Sequence, residues 1–347
     1  MPPSTTQNCG IHARIAAIAT HLPERVLDNA TLAAEFAGWS AEKILDKTGI
    51  AERRIAADGE TALDLGEAAA RKLLAGSVGH EVDFLIFCSQ ARDYILPTSA
   101  CLLQHRLGLP TSVGALDIDL GCSGFVYGLS LATGLIAAGL ARGVLLVTAD
   151  TYSKYIHPRD KSVRTLFGDG AAATLIVAQP EDRSTARIGP FVFGTDGGGG
   201  DSLIVEAGGF RLPSSAETAC EVEDRSGNVR SRDHLYMDGA AVLTFSLREV
   251  PRAYQQLLQK MDAGPDEVDL VVLHQANKFM MDALQRKLDV PDEKLPRLYE
   301  LIGNTVSSTI PFVLASLLEE GRLTPGTRTV LIGFGVGLSW AAAAVTF

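Results

Sequence analysis

Residues 81–90, E-V-D-F-L-I-F-C-S-Q, and residues 267–276, E-V-D-L-V-V-L-H-Q-A, share one pattern at a spacing of 186 (267 less 81). Each is a charged lead-in followed by four consecutive apolar residues, the mark of a short strand buried on both faces. The match continues outward. G-C-S at 121–123 and G-N-T at 303–305 each open a second helical run, at a spacing of 182 (303 less 121). G-V-L-L-V at 143–147 and T-V-L-I-G at 329–333 then read as a second buried strand in each half. Strand, helix, strand occurs twice, which predicts βαβ units, parallel pairing and an α/β sheet covered by helices. At 347 residues the chain exceeds the usual single core, as expected for two related halves. Their junction falls where Q-P-E-D-R-S-T-A-R breaks the apolar pattern, giving halves of residues 1–185 and 186–347.

Composition narrows the function classes. A chain 46% hydrophobic and 21% charged is that of a compact soluble protein, and a net charge of −10 with no long Lys/Arg run argues against a nucleic-acid surface. Five cysteines, Cys9, Cys88, Cys101, Cys122 and Cys220, are an odd number without C-x-x-C spacing, so neither a disulfide framework nor a structural zinc site is expected. A reducing cytoplasm is the expected compartment. The leading M-P-P-S-T-T-Q-N-C-G lacks the basic flank and apolar stretch of a signal peptide. Residues 120–141 carry no charge, but five glycines and three hydroxyl residues dilute them, so they read as a helix enclosed in a large core rather than a membrane span.

The repeat also places the chemistry. In open α/β sheets, strand-end residues project into the crevice beyond the carboxyl ends of the strands. In the second half that residue is His274, and the following helix start is Asn304; their counterparts in the first half are Cys88 and Cys122. Packed about a pseudo-twofold axis, the halves would bring Cys122, His274 and Asn304 together, the pattern of an activated thiol. Taken singly, each has a plainer reading: a buried structural thiol, a satisfied histidine, an N-capping asparagine. Falling jointly at repeat-equivalent helix starts and strand ends favours the site. Other glycine-rich pieces say less. G-T-D-G-G-G-G-D at 194–201 lacks the ending of a phosphate loop and reads as a flexible turn. The third glycine of G-F-G-V-G-L at 333–338 comes one residue early for a dinucleotide fingerprint. Asp169 in F-G-D-G reads as a turn residue rather than a catalytic acid.

D-L-G-C-S-G-F-V-Y-G-L (119–129), F-G-D-G-A-A-A (167–173), L-H-Q-A-N (273–277), G-N-T-V-S-S-T-I-P (303–311) and G-F-G-V-G-L-S-W (333–340) resemble, in order, the signatures of the β-ketoacyl-[acyl carrier protein] synthase III family of the thiolase superfamily. The resemblance implies a thiolase-like five-layered αβαβα fold, a homodimer, and Cys122, His274 and Asn304 as the family's Cys, His and Asn. The chemistry fits. A thiolate at a helix N-terminus has its pKa lowered there; Gly121 and Gly124 would let substrate approach the sulfur. The backbone N–H of Cys122, with that of Gly335 or Val336, would form the oxyanion hole. Cys122 would take an acyl group from a thioester. His274 and Asn304 would then donate to the carbonyl of a malonyl-type thioester as decarboxylation creates an enolate, which attacks the acyl-Cys122 carbonyl to give a 3-oxoacyl product. No metal, nicotinamide or flavin is needed; coenzyme A or acyl-carrier-protein phosphopantetheine thioesters are the substrates.

Departures from the family bear on the donor. Where coenzyme-A-using members carry a tryptophan and an arginine before T-G-I, this chain has Lys43 and Lys47, so an aromatic platform for adenine is missing there unless Trp39 replaces it. Val336 stands where the family usually has glycine. Lys43, Lys47, Arg159, Lys161, Lys278 and Phe334 are the candidate contacts to substrate or to an acidic carrier protein. Three functions remain to be separated: a decarboxylating condensing enzyme, a non-condensing acyl transferase or thioester hydrolase, and a non-catalytic partner subunit. Retention of all three site residues favours the first.

Overall fold

The computed structural model describes residues 11–76, 81–180 and 185–347. Cys9, the leading decapeptide and residues 181–184 at the expected junction lie outside the described residues. Nine strands build two central sheets: β1 (Ile11–His21), β2 (Phe84–Cys88), β3 (Gly114–Ile118), β4 (Gly143–Asp150), β5 (Gly170–Pro180), β6 (Arg187–Thr195), β7 (Leu270–Leu273), β8 (Arg328–Gly335) and β9 (Ser339–Thr346). The first sheet has the order β1-β5-β4-β2-β3 and the second β7-β8-β9-β6. The last strand of one therefore ends at Pro180 and the first strand of the other starts at Arg187.

The repeated pairs, β2 with β4 and β7 with β8, are both parallel, in registers one residue apart: Phe84 faces Val144, and Leu270 faces Thr329. Asp83 and Asp269 fasten them in the same way: each accepts from the backbone at the start of the neighbouring strand, Asp83 from Arg142 and Gly143, Asp269 from Arg328. The parallel pairing expected of the repeated strands holds, but the strands beyond them reverse. β5 runs antiparallel to both β4 and β1, and β9 antiparallel to both β8 and β6. Only three residues separate β8 from β9, and so short a connection cannot return the chain in the parallel sense.

Helices complete five layers. Helix α1 (Ala41–Thr48) lies at the rim, and α2 (Ala62–Gly76) packs on the outer face of the first sheet. Helices α3 (Gly124–Ala137) and α6 (Thr309–Glu319) lie between the sheets. Helices α4 (Gly239–Met261) and α5 (Lys278–Leu288) cover the second sheet. The alternation of strand side chains divides the core accordingly. Ile86 and Leu331 point to the middle layer with Phe125, Leu129, Ile310 and Leu314, whereas Leu85, Phe87, Val330 and Ile332 point outward. The uncharged run 120–141 is enclosed only over its first turns, with Leu131 and Leu140 45 and 71% exposed, and no helix among the described residues is long and apolar enough to cross a membrane.

Candidate active site

Cys122 sits in the turn that leads from β3 into α3, Asn304 in the turn before α6, and His274 one residue beyond β7. The two turns, one from each half, meet at the inner ends of the middle-layer helices. All three side chains are buried and line one cavity of about 750 Å³ with Lys47, Lys278 and Phe334.

Each is held by local structure. In L-H-Q-A-N, Gln275 donates to Leu273 O and accepts from Leu298 N–H, fixing the chain after β7, while Asn277 caps α5 by accepting from Met280 N–H. That leaves His274 directed into the cavity, with its Nδ1 2.7 Å from Thr309 Oγ1 and its ring edge-on to Phe334. Burial pushes the imidazole down to about 3, so it is neutral at rest. Asn304 pairs its backbone with Leu166 and Gly168, and its Oδ1 accepts from Val306 N–H. An amide fixed through its oxygen presents its Nδ2 donors to the cavity.

The β8–β9 turn supplies the remaining wall. A side chain at Gly335 would collide with Cys122 Cβ and Sγ at 2.9 Å, and one at Gly333 with Cys122 O at 2.7 Å, so only glycine lets β8 pass this close to the nucleophile. Ser123 and Ser339 hydroxyls lie 2.7 Å apart, and Ser339 donates to Val336 O, tying the turn to the Cys122 segment. The backbone N–H groups of Cys122 and Val336 both act on the sulfur. Of the two candidates in the turn, Val336 is the one whose N–H acts on the sulfur. Gly121 and Gly124 do not face the reacting sulfur as the sequence suggested: Gly121 is packed by Gln90, Val336 and Tyr152, and Gly124 by Cys88 Sγ.

The thiol also departs from expectation. Burial, seconded by the Asp150 carboxylate, pushes Cys122 up to about 12, against the lowering by the two N–H groups. A helix terminus lowers a thiol only when its field outweighs the loss of water around the charged form, and here desolvation wins.

The candidate contacts divide. Lys47, Lys278 and Phe334 line the cavity. Lys278 is ion-paired to Asp282 at 2.6 Å, and the ammonium groups of Lys43 and Lys47 lie 5.1 and 6.0 Å from the centre of the Trp39 ring. Arg159 and Lys161 are not among the cavity residues: Arg159 pairs with Glu221, and Lys161 donates to Ser226 O and Gly227 O, which fastens the 220–228 loop. Two turn readings are corrected. Asp169 is fully buried and accepts from Ala56 N–H, Ser153 N–H and Ser153 Oγ–H, a tertiary clasp. The 194–201 segment is docked, since Asp196 and Leu338 exchange both backbone hydrogen bonds. A second cavity of about 1000 Å³ lies behind the turn, lined by Gln90, Tyr94, Ile95, Tyr152, Val336 and Gly337.

Two family descriptions match the chain: 3-oxoacyl-[acyl-carrier-protein (ACP)] synthase III over residues 116–197, and the C-terminal region of 3-oxoacyl-[acyl-carrier-protein (ACP)] synthase III over 258–347. The chain is 37% identical over 326 residues to a β-ketoacyl-[acyl-carrier-protein] synthase III of Roseiflexus sp. (strain RS-1), covering 93% of this chain and 95% of that one. A crystal structure of a 3-oxoacyl-(acyl-carrier-protein) synthase III superposes with a TM-score of 0.95 at 61% identity, covering 97% and 100% of the two chains. The priming β-ketosynthase of the R1128 polyketide pathway superposes at 0.83 with 31% identity, covering 97% and 96%.

Proposed function

The chain belongs to the 3-oxoacyl-[acyl-carrier-protein] synthase III family of condensing acyltransferases, and from that premise we propose that it loads an acyl group onto Cys122 and condenses it with a malonyl-type thioester. The observation that carries this reading is the pairing of Cys122 from one half with His274 and Asn304 from the other in the wall of a single cavity.

In the loading step Cys122 Sγ attacks the thioester carbonyl, and the oxyanion is met by the N–H groups of Cys122 and Val336. The incoming carrier thiol departs with the proton that Cys122 gives up. Because the resting thiol and imidazole are both neutral, that proton moves as the carbon–sulfur bond forms rather than beforehand. In the second step the malonyl thioester carbonyl accepts from Asn304 Nδ2 and from His274 Nε2, whose proton is retained when Thr309 donates to Nδ1. Carbon dioxide leaves, the enolate carbon bonds to the acyl carbon, and Cys122 departs as the thiolate, which is reprotonated. The residues described need no separate cofactor for either step.

The donor reading is an acyl carrier protein. Trp39 already faces two ammonium groups, which leaves no free aromatic platform for adenine there, while Lys47 on the cavity wall and Lys43 on the same helix are cations that suit an acidic partner, Lys278 being paired to Asp282. We further place the enzyme in the cytoplasm as a homodimer. The four cysteines among the described residues are free thiols, and Tyr94, Ile95 and Leu96 are 56, 70 and 83% exposed, an apolar stretch suited to a second copy.

Intact-mass measurement after incubation with a panel of acyl thioesters, followed by peptide mapping, tests the reading. The acyl mass is expected on Cys122; finding it on Cys88 or Cys101, or nowhere, overturns it.

A further inference from the structure

Behind the site stands a carboxylate that neither step uses. Asp150, the last residue of β4, is fully buried and has no ion-pair partner among the described residues. Its Oδ1 accepts from Gln90 N–H at 2.9 Å, and its Oδ2 from Ser307 Oγ–H at 2.5 Å and Ser307 N–H at 3.3 Å. Ser307 lies between Asn304 and Thr309, so one carboxylate of the first sheet grips the turn of the second half that carries the amide donor and the support of His274. The groups whose charges couple to Asp150 are the thiols of Cys122 and Cys88, the phenols of Tyr152 and Tyr155, and the Asp169 carboxylate. Each of them is neutral or negative. Asp119 adds a further carboxylate field at Cys88 and both tyrosines, and Arg92, ion-paired with Asp119 near the surface, is the cation facing Tyr155.

We propose that Asp150 is a positioning residue for the condensing reaction: its carboxylate fixes the Ser307 turn beneath Asn304 and Thr309. The proposal rests on the function proposed above. Like charges in a region without water repel strongly, so a carboxylate here opposes a thiolate at Cys122. Asp150 itself is pushed up to about 7 by burial, against the hydrogen bonds from Ser307 and Gln90. Losing the Ser307 hydroxyl removes a bond that favours the charged form, and so relieves part of the same opposition.

The test uses the full chain and two variants, Asp150→Asn and Ser307→Ala. Alkylation of Cys122 by iodoacetamide, followed by intact mass and peptide mapping across the neutral and alkaline range, reads the thiol without any acyl substrate. Asp150→Asn is expected to alkylate at Cys122 about fivefold faster or more near neutral pH, with its profile moved to lower pH. Ser307→Ala moves it the same way by less, and adds nothing in the Asp150→Asn background. In the half-reactions, both variants should lose roughly tenfold or more in malonyl decarboxylation relative to acyl loading, as for a displaced oxyanion donor. A folded Asp150→Asn protein with the parent ratio of malonyl decarboxylation to acyl loading overturns the proposal. If Asp150→Asn does not fold, an unchanged decarboxylation-to-loading ratio in Ser307→Ala overturns it. Failure of the condensing reading itself appears in the parent protein, as the absence of acyl-Cys122.

Discussion

At Cys122 two influences of opposite sign meet on one sulfur. The N–H groups of Cys122 and Val336 favour the thiolate; burial and Asp150 disfavour it, and the thiol ends at about 12. The ligand-free enzyme should therefore show alkylation at Cys122 that climbs by roughly tenfold per pH unit through the neutral and mildly alkaline range, without a plateau there. A plateau below about pH 9 would mean that the N–H groups outweigh burial. His274 is held neutral down to about 3, so the imidazole itself should add no titration step to condensation near its ordinary value of about 6.5; a step near 7 would belong to Asp150. Truncation separates the half-reactions. His274→Ala or Asn304→Ala should leave acylation of Cys122 within a few-fold of the parent, while malonyl decarboxylation falls by a factor of roughly 10² or more. Parent-rate condensation by Asn304→Ala would make the chain a simple acyl transferase.

Among the elements, the short strand Glu52–Ile55 bears on the site through Arg53. This guanidinium is fully buried, donates to Leu27 O, Asn29 Oδ1 and Thr165 O, and is pushed down to about 10 by loss of water. It thereby holds the 165–168 segment that pairs with the Asn304 backbone. Arg53→Ala leaves three buried acceptors unpaired and a cavity besides, and should cost about 3 kcal/mol or more, read as a lowered midpoint in urea unfolding. Lysine should rescue little, because a point charge cannot reach acceptors spread across a planar fork. No sequence signal marks this residue, since its partner at Thr165 is 112 positions away. The same holds for Asp150 with Ser307, 157 apart, and for Asp169 with Ala56, 113 apart: buried polar clasps look like turn residues until their partners are known. Cys122, His274 and Asn304 were legible because they repeat at matched places. β2, β4, β7 and β8 were legible as apolar runs. β5 and β9, with A-A-A-T-L-I-V and W-A-A-A-A-V-T, pass unnoticed because alanine has weak strand preference and small residues are what two packed layers require.

For the whole molecule, charge sets the expectation for the partner. The chain carries a net charge of −10, so an acidic carrier protein meets general repulsion and must find the local cations at the cavity rim. An acyl group on a carrier protein should therefore acylate Cys122 with a higher kcat/KM than the same group on coenzyme A, and the difference should shrink as salt rises. The lost adenine platform alone is worth about 1–3 kcal/mol by comparison with base stacking on aromatic side chains. Equal use of the coenzyme A thioester at low salt would show that another group reads the adenine. At the matched strand ends stand Cys88 and His274, and a side chain on Gly124 would meet the Cys88 sulfur at 2.3 Å. An imidazole at position 88 would drive α3 off its strand, so the half that carries the nucleophile has no room for the histidine. In this packing the nucleophile and the histidine cannot share one half, so neither half can be replaced by a second copy of the other.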